Sequence, residues 1–381
     1  MGAPGRVRAH AAHTSMGAGE GSRARPTDGR ARGANVVQVA IIGATGYAGV
    51  EAFRLLAGHP GAEVTYLGSS SQAGATLGSV YPHLGAAGAA RLEPVDPEAI
   101  AGRAQVALLS LPARQGLELV PRLLAAGCRV IDFGADFRLR DLEAYAHYYG
   151  GDHTAPECLA TAAYGLTEFH RDEIAHAPVV ANPGCYPTAA IFALWPALRA
   201  GRVEPEGLIV DAKSGASGAG RQPHGNGMIA EQEANVWPYK VAGGHRHTPE
   251  LEQELTLAAG RPAQVLFTPH QVPMSRGLLA TCYARLAGPW SDAGAQALYR
   301  DAYAGEPFVE VLDERLPATR ATLGTNNVQV AVRVDERRGH LIAMAAIDNL
   351  GKGAAGQAVQ NLNRMFGLDE TLGLPRIGLV P

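Results

Sequence analysis

Asn182-Pro-Gly-Cys-Tyr-Pro-Thr-Ala-Ala190 contains the side chain best suited to chemistry, Cys185. Pro183 and Gly184 make a turn, and Ile191, Leu194 and Leu198 continue as an apolar helix, which places Cys185 at a helix N-terminus. The positive end of a helix dipole lowers a thiol pKa and populates the reactive thiolate. Unpaired backbone N–H groups at the same end can hold a developing oxyanion. The commoner fate of a free cysteine is a small packing residue, which suits Cys128 and Cys282, next to or inside apparent strands. Cys158 sits in a loop with no evident activating neighbour.

Three further segments carry polar chemistry. In Gly243-Gly-His-Arg-His-Thr-Pro-Glu250, His245 and His247 alternate, so in an extended chain they share a face. Either can act as acid or base near neutral pH. A structural cap and a metal pair are the other roles, but no third ligand at metal spacing stands out and no metal is expected. Thr248 reads as the N-cap of a helix with Pro249 in its first turn. In Lys213-Ser-Gly-Ala-Ser-Gly-Ala-Gly-Arg221, the backbone amides with Ser214, Ser217 and Arg221 suit an anionic substrate group. Arg138 follows a strand, at the carboxyl edge where ligands bind in parallel sheets. It either holds phosphate or carboxylate or pairs with Asp136 or Asp141.

Gly43-Ala44-Thr45-Gly46-Tyr47-Ala-Gly49 lies between an apolar strand and an amphipathic helix, where a dinucleotide pyrophosphate meets a helix N-terminus. Its GxxGxxG spacing keeps the backbone open around the turn and leaves Gly49 for close helix packing. The next strand ends in Gly68-Ser69-Ser70-Ser71-Gln72 and has no acid there, while Glu63 falls at its start. Three hydroxyls with no carboxylate favour NADP over NAD. A nicotinamide cofactor beside a cysteine nucleophile narrows the chemistry. The thiolate attacks an activated acyl carbon and expels phosphate, and hydride then reduces the thioester to an aldehyde.

The elements that must position these groups follow from periodicity. Strand-like runs at 36–42, 63–67, 105–111, 129–133 and 179–181, with helices at 47–57 and 115–126, predict an α/β domain with a Rossmann-type parallel sheet. Runs at 208–212, 264–267, 278–286, 327–334 and 340–347, with helices at 249–259 and 292–304, alternate less regularly and predict an α+β domain with a mixed sheet. A last helix at 354–366 has no following strand and can return to cover the first domain. The division expected is 36–181 with 349–381 for the nucleotide, and 182–348 for catalysis and dimerisation.

Length and composition agree. The 381 residues suffice for two domains, 46% are hydrophobic and 18% charged, and the net charge of −3 offers no basic field for nucleic acid. No apolar run reaches the ~18 residues of a membrane span, and four cysteines without CxxC spacing suit a reducing, cytoplasmic setting. Residues 1–35 are rich in Gly, Ala and Arg and nearly free of large apolar side chains, so a disordered tail is expected, with Met16 another candidate start.

Together with Phe267-Thr-Pro-His270, Ser275-Arg-Gly277 and Ala346-Ile-Asp-Asn-Leu350, these motifs resemble the N-acetyl-γ-glutamyl-phosphate reductase family, from about Val36 to Leu374. The resemblance implies an aspartate-semialdehyde-dehydrogenase-like fold, NADPH as hydride donor, Cys185 as nucleophile with a histidine of the 245/247 pair beside it, and a dimer or tetramer. The implied reaction is the third step of arginine synthesis, N-acetyl-γ-glutamyl phosphate to N-acetylglutamate 5-semialdehyde. Two positions depart from the family pattern. Leu111-Pro-Ala-Arg114 stands where many members have Leu-Pro-His-Gly, and Gln72 ends a serine run in which relatives often carry arginine. The rivals are a carrier-linked aminoadipyl-phosphate reductase of lysine synthesis, an aspartyl-phosphate reductase, and a nucleotide sensor without catalysis. Pro183 and Arg221 favour the arginine enzyme over the lysine one, and an intact Cys185 with both histidines argues against the sensor.

Overall fold

In the computed structural model, residues 36–221 and 228–380 are described; the tail expected at 1–35 lies outside them. The first half yields β1 (Val37–Ile42), β2 (Ala62–Gly68), β3 (Val106–Leu109), β4 (Arg129–Asp132), β5 (Ala162–Tyr164) and β6 (Val179–Ala181). They form one sheet in the order β2-β1-β3-β4-β6-β5, with every pair parallel. Val39, Ile41, Val106, Leu108 and Ile131 enter the core on one face, and Ala40, Ile42, Ala107, Leu109 and Val130 enter it on the other. Both faces are covered, which is why these strands read as continuous apolar runs rather than alternating ones. Helices α1 (Tyr47–Leu56) and α2 (Gly116–Ala125) follow β1 and β3. The strand order reverses between β1 and β3, and the crevice beyond their carboxyl ends is where such sheets take a nucleotide.

The second half supplies β7 (Leu208–Ser214), β8 (Trp237–Pro238), β9 (Val265–Gln271), β10 (Leu278–Arg285), β11 (Val309–Val311), β12 (Val328–Asp335) and β13 (His340–Ile347). Their order is β11-β12-β13-β10-β7-β9-β8, with parallel pairs at β11/β12 and β7/β9 and the rest antiparallel, so the sheet is mixed as expected. One face packs on α3 (Cys185–Arg199), whose Ala189, Ile191, Phe192 and Leu194 share a core with Val210, Ala280, Cys282 and Ala345. Helix α4 (Thr248–Ala259) lies against α3, with Leu251 and Leu255 in the same core. The other face leaves Ile209 and Leu266 exposed.

Helix α3 therefore joins the two halves. It starts at the carboxyl end of β6 and runs beneath the second sheet, so its first residue stands at the junction. After α5 (Asp292–Ala302), the last helix, α6 (Gly356–Met365), packs Ala358, Val359 and Leu362 into the core with Val39 and Ile41 of the parallel sheet. The strands that periodicity did not reveal, β5, β8 and β11, are two or three residues long. Such lengths are too short to express a period, and β6, equally short, stands out only as the apolar run leading into the cysteine turn.

Candidate active site

Cys185 is the first residue of α3, with Gly184 as its extended N-cap. The Pro-Gly turn sets this start, because Gly184 packs with no room for a side chain. A Cβ there would fall 2.5 Å from His247 Nε2 and 3.0 Å from Arg138 Nη1. On its other side, a Cβ on Gly353 would fall 2.9 Å from the Cys185 Cβ, so the turn before α6 also presses on the cysteine.

A buried bracket holds the turn. Glu250, fully buried in the first turn of α4, accepts the Gly184 N–H at 2.8 Å and the Tyr164 hydroxyl at 2.8 Å. Arg138 pairs with Glu250 at 3.2 Å and donates to the Asn182 carbonyl at 2.8 Å and the Phe133 carbonyl at 2.7 Å. The reading of Arg138 as a substrate anchor is thereby corrected. Its guanidinium is buried and spent on the cysteine loop, and it lines neither of the grooves described below. Its ion-pair partner is Glu250 rather than Asp136 or Asp141.

His245 and His247 come together beside Tyr186, with ring centroids 4.7 Å apart. The His247 N–H donates to His245 Nδ1 at 3.1 Å, which leaves the neutral His245 ring with its hydrogen on Nε2. This turn also corrects the capping expectation. His247 holds the cap position, Thr248 is the first helical residue, and its hydroxyl is buried without a partner.

These groups share a groove lined by Cys185, Tyr186, Ser214, Gly215, Tyr239, Lys240, His245, Arg246 and His247. Lys240 and Arg246 bring two cations, which suits an anionic ligand. Neither was singled out in the sequence, although Arg246 lies between the two histidines; a basic residue flanked by candidate acids was the available signal. Ser214 lines the groove, but Ser217 does not: its hydroxyl accepts from the Asn349 amide at 2.9 Å and anchors the loop. Arg221 is absent from this groove as well, and its role as a substrate contact is not supported.

Burial reverses the expected charge state. It pushes the Cys185 thiol up to about 11, although backbone N–H groups at the helix start and the nearby Arg138 pull the other way. Burial and the Arg246 charge hold His245 down at about 3, and burial, with His245 and Arg138 next, holds His247 well below the ordinary value. The resting pair is thus thiol and imidazole, not thiolate and imidazolium. The helix start does favour the thiolate, but desolvation of the sulfur outweighs it. Alkylation of the free protein by iodoacetamide should therefore climb roughly tenfold per pH unit between pH 7 and 10, with Cys185 thiolate only ~10⁻⁴ of the total at pH 7. A rate at Cys185 that is flat from pH 6 to 8 would show a preformed thiolate instead. Cys128 and Cys282 are buried, as packing residues should be.

A second groove lies beyond the carboxyl ends of β1 and β3. Gly43, Thr45, Gly46, Ser69, Ser70, Ser71, Gln72, Ser110 and Gln115 line it. Gly43 has φ +82°, and a Cβ on it would fall 2.2 Å from the Ser110 carbonyl, so only glycine keeps the cradle open. Gly49 meets Gly43 O at 2.3 Å from its would-be Cβ, which seats α1 against the turn. Ala44 is buried, and neither it, Tyr47 nor Gly49 lines the groove. Open backbone amides at a helix start, three serines and no carboxylate fit a phosphorylated dinucleotide. The two grooves meet at Ala219, which lines both. Arg114 takes the glycine-favouring φ of +75° at the departure noted above, with its N–H held by Asp136 at 2.7 Å.

Known proteins resemble this arrangement. Residues 38–177 match the semialdehyde dehydrogenase NAD binding domain and residues 185–349 the semialdehyde dehydrogenase dimerisation domain. Aspartate semialdehyde dehydrogenase II of Vibrio cholerae superposes with a TM-score of 0.67 at 20% identity, covering 87% of this chain and 98% of that one, which shows a shared fold. N-acetyl-gamma-glutamyl-phosphate reductase of Symbiobacterium thermophilum is 50% identical over 345 residues, 90% of this chain and 99% of the relative. The enzyme of that name from Geotalea daltonii is 47% identical over 347 residues, 91% of this chain and all of the relative. With that identity sustained across both sheets, the chain belongs to the N-acetyl-gamma-glutamyl-phosphate reductase family.

Proposed function

We propose that this chain reduces N-acetyl-γ-glutamyl phosphate to N-acetylglutamate 5-semialdehyde and phosphate in arginine synthesis, with NADPH as donor. The observation that carries this reading is the groove shared by Cys185 and the two histidines, which meets the glycine-turn groove at Ala219. Cys185 Sγ attacks the acyl carbon, the bond from that carbon to the phosphate oxygen breaks, and phosphate leaves with the electron pair. A neutral imidazole of the His245/His247 pair takes the thiol proton as attack proceeds, which removes the need for a resting thiolate. Lys240, Arg246 and Ser214 bind the anionic groups of the substrate. Backbone N–H groups at the start of α3 hold the developing oxyanion, while Glu250 fixes that start by occupying the Gly184 N–H. Gly43, Thr45, Gly46 and the three serines hold the cofactor, whose nicotinamide supplies the hydride. The proton on the imidazole returns to sulfur when the aldehyde forms.

The remaining expectations fit this reading. The division proposed remains 36–181 with 349–381 for the nucleotide and 182–348 for catalysis and dimerisation, and the two separate sheets support it. Homo-oligomerisation is supported by the dimerisation-domain match and by Ile209 and Leu266, which stand exposed on the uncovered face of the second sheet. Among the described residues no helix is long and apolar enough to cross a membrane, and a cytoplasmic site suits the free cysteines.

The test runs the reaction backwards. Purified protein with phosphate, N-acetylglutamate 5-semialdehyde and NADP should form NADPH, with kcat/KM at least ~10²-fold above that for aspartate semialdehyde or carrier-linked aminoadipate semialdehyde. Equal turnover of either competitor, or none of the acetylated substrate, refutes the assignment.

A further inference from the structure

The loop after β7 starts in one groove and ends in the other. Ser214, Gly215 and Gly218 line the cysteine groove, Ala219 lines both, and Gly220 and Arg221 line the nucleotide groove. Arg221 is the only charged residue lining the nucleotide groove among the described residues. It comes from the second sheet's half of the chain, whereas the other residues of that lining apart from its loop neighbours come from the first. The serine run in the lining of the same groove contains no cation of its own and ends at Gln72.

Arg221 is also held in place. Its guanidinium carbon lies 5.5 Å from the Tyr81 ring centroid, and the Tyr81 hydroxyl donates to the Thr45 carbonyl of the glycine turn at 2.9 Å. Stacking on a ring that is itself tied to the turn restricts a long, exposed side chain, and among the described residues no carboxylate pairs with its fork. A cation restrained in this way loses less rotamer entropy when its ligand arrives.

We propose that Arg221 is the specificity-determining cation for the cofactor's 2′-phosphate, acting with Ser69, Ser70 and Ser71 across the groove. This rests on the NADP reading above. It assigns the loop's terminal arginine to the nucleotide rather than to the substrate. The neutral serine run tolerates the 2′-phosphate, and Arg221 provides the attraction that a ribose hydroxyl cannot repay.

The test is direct binding of NADPH and NADH to the full chain, read by titration calorimetry without substrate. In the parent protein NADPH should bind more tightly than NADH. Arg221→Ala should raise the Kd for NADPH about ten- to a hundredfold and leave that for NADH within about twofold, and Arg221→Lys should recover part of the loss. The retained NADH affinity also shows that the variant is folded. Equal weakening of both cofactors would assign Arg221 to the pyrophosphate and overturn the proposal. So would a parent preference for NADPH that Arg221→Ala leaves intact. A parent that binds both equally overturns the NADP reading and this proposal together.

Discussion

Cys185→Ala is expected to lower turnover at least ~10⁴-fold, because the variant has no atom on which the acyl group can be held. The groove's other groups cannot substitute. Tyr186 and Tyr239 are hydrogen-bonded to each other at 3.1 Å, with burial holding the Tyr239 phenol up at about 12 and Tyr186 higher still. Ser214 keeps its hydroxyl on a neighbouring backbone carbonyl at 3.3 Å. Alanine keeps the Cβ and removes only the sulfur, which lines the groove, so NADPH binding should stay within about twofold of the parent. Steady-state rates in the semialdehyde-oxidising direction, with calorimetric Kd values alongside, separate the two effects. Turnover within tenfold of the parent would remove Cys185 from the mechanism. Loss of nucleotide binding along with activity would instead mark it as structural.

Glu250→Ala should cost about 3–5 kcal/mol of stability, a large fraction of what a folded chain has. The carboxylate is fully buried between Arg138, Gly184 N–H and the Tyr164 hydroxyl. Its removal leaves a buried guanidinium without a counter-charge and two donors without an acceptor. The Asn182 and Phe133 carbonyls still receive Arg138, so the loss is of charge balance more than of hydrogen bonds on the arginine. Glu250→Gln keeps a carbonyl oxygen for Gly184 and should fall between the parent and the alanine variant. Urea unfolding of the three proteins provides the measurement. An alanine variant within about 1 kcal/mol of the parent would mean that the bracket contributes nothing. If the bracket acts on the cysteine turn, the glutamine variant should lose kcat while its KM for NADP stays close to the parent value, a split that general destabilisation does not produce.

Glu250 shows where linear reading loses information. It was visible as an acid just inside a helix, but its partners Arg138, Tyr164 and Gly184 lie 66 to 112 positions away in the chain. The same distance problem applies to Arg138 and Arg221. Each is a plausible anion binder by type, but Arg138 is taken up by buried partners and Arg221 lines the nucleotide groove, which only the fold shows.

The order of elements, the two kinds of sheet, the glycine cradle and the helix start at Cys185 were determined by the sequence alone. All of these rest on local chemistry: continuous apolar runs for doubly covered strands, a period of 3.6 for helices, and glycine where a Cβ has no room. The tertiary structure decided the rest. It set the charge state of the sulfur and imidazoles, the closing of a bracket around Gly184, and the division of one loop between two grooves. Desolvation and long-range pairing depend on what surrounds a group in space, and no spacing along the chain encodes them.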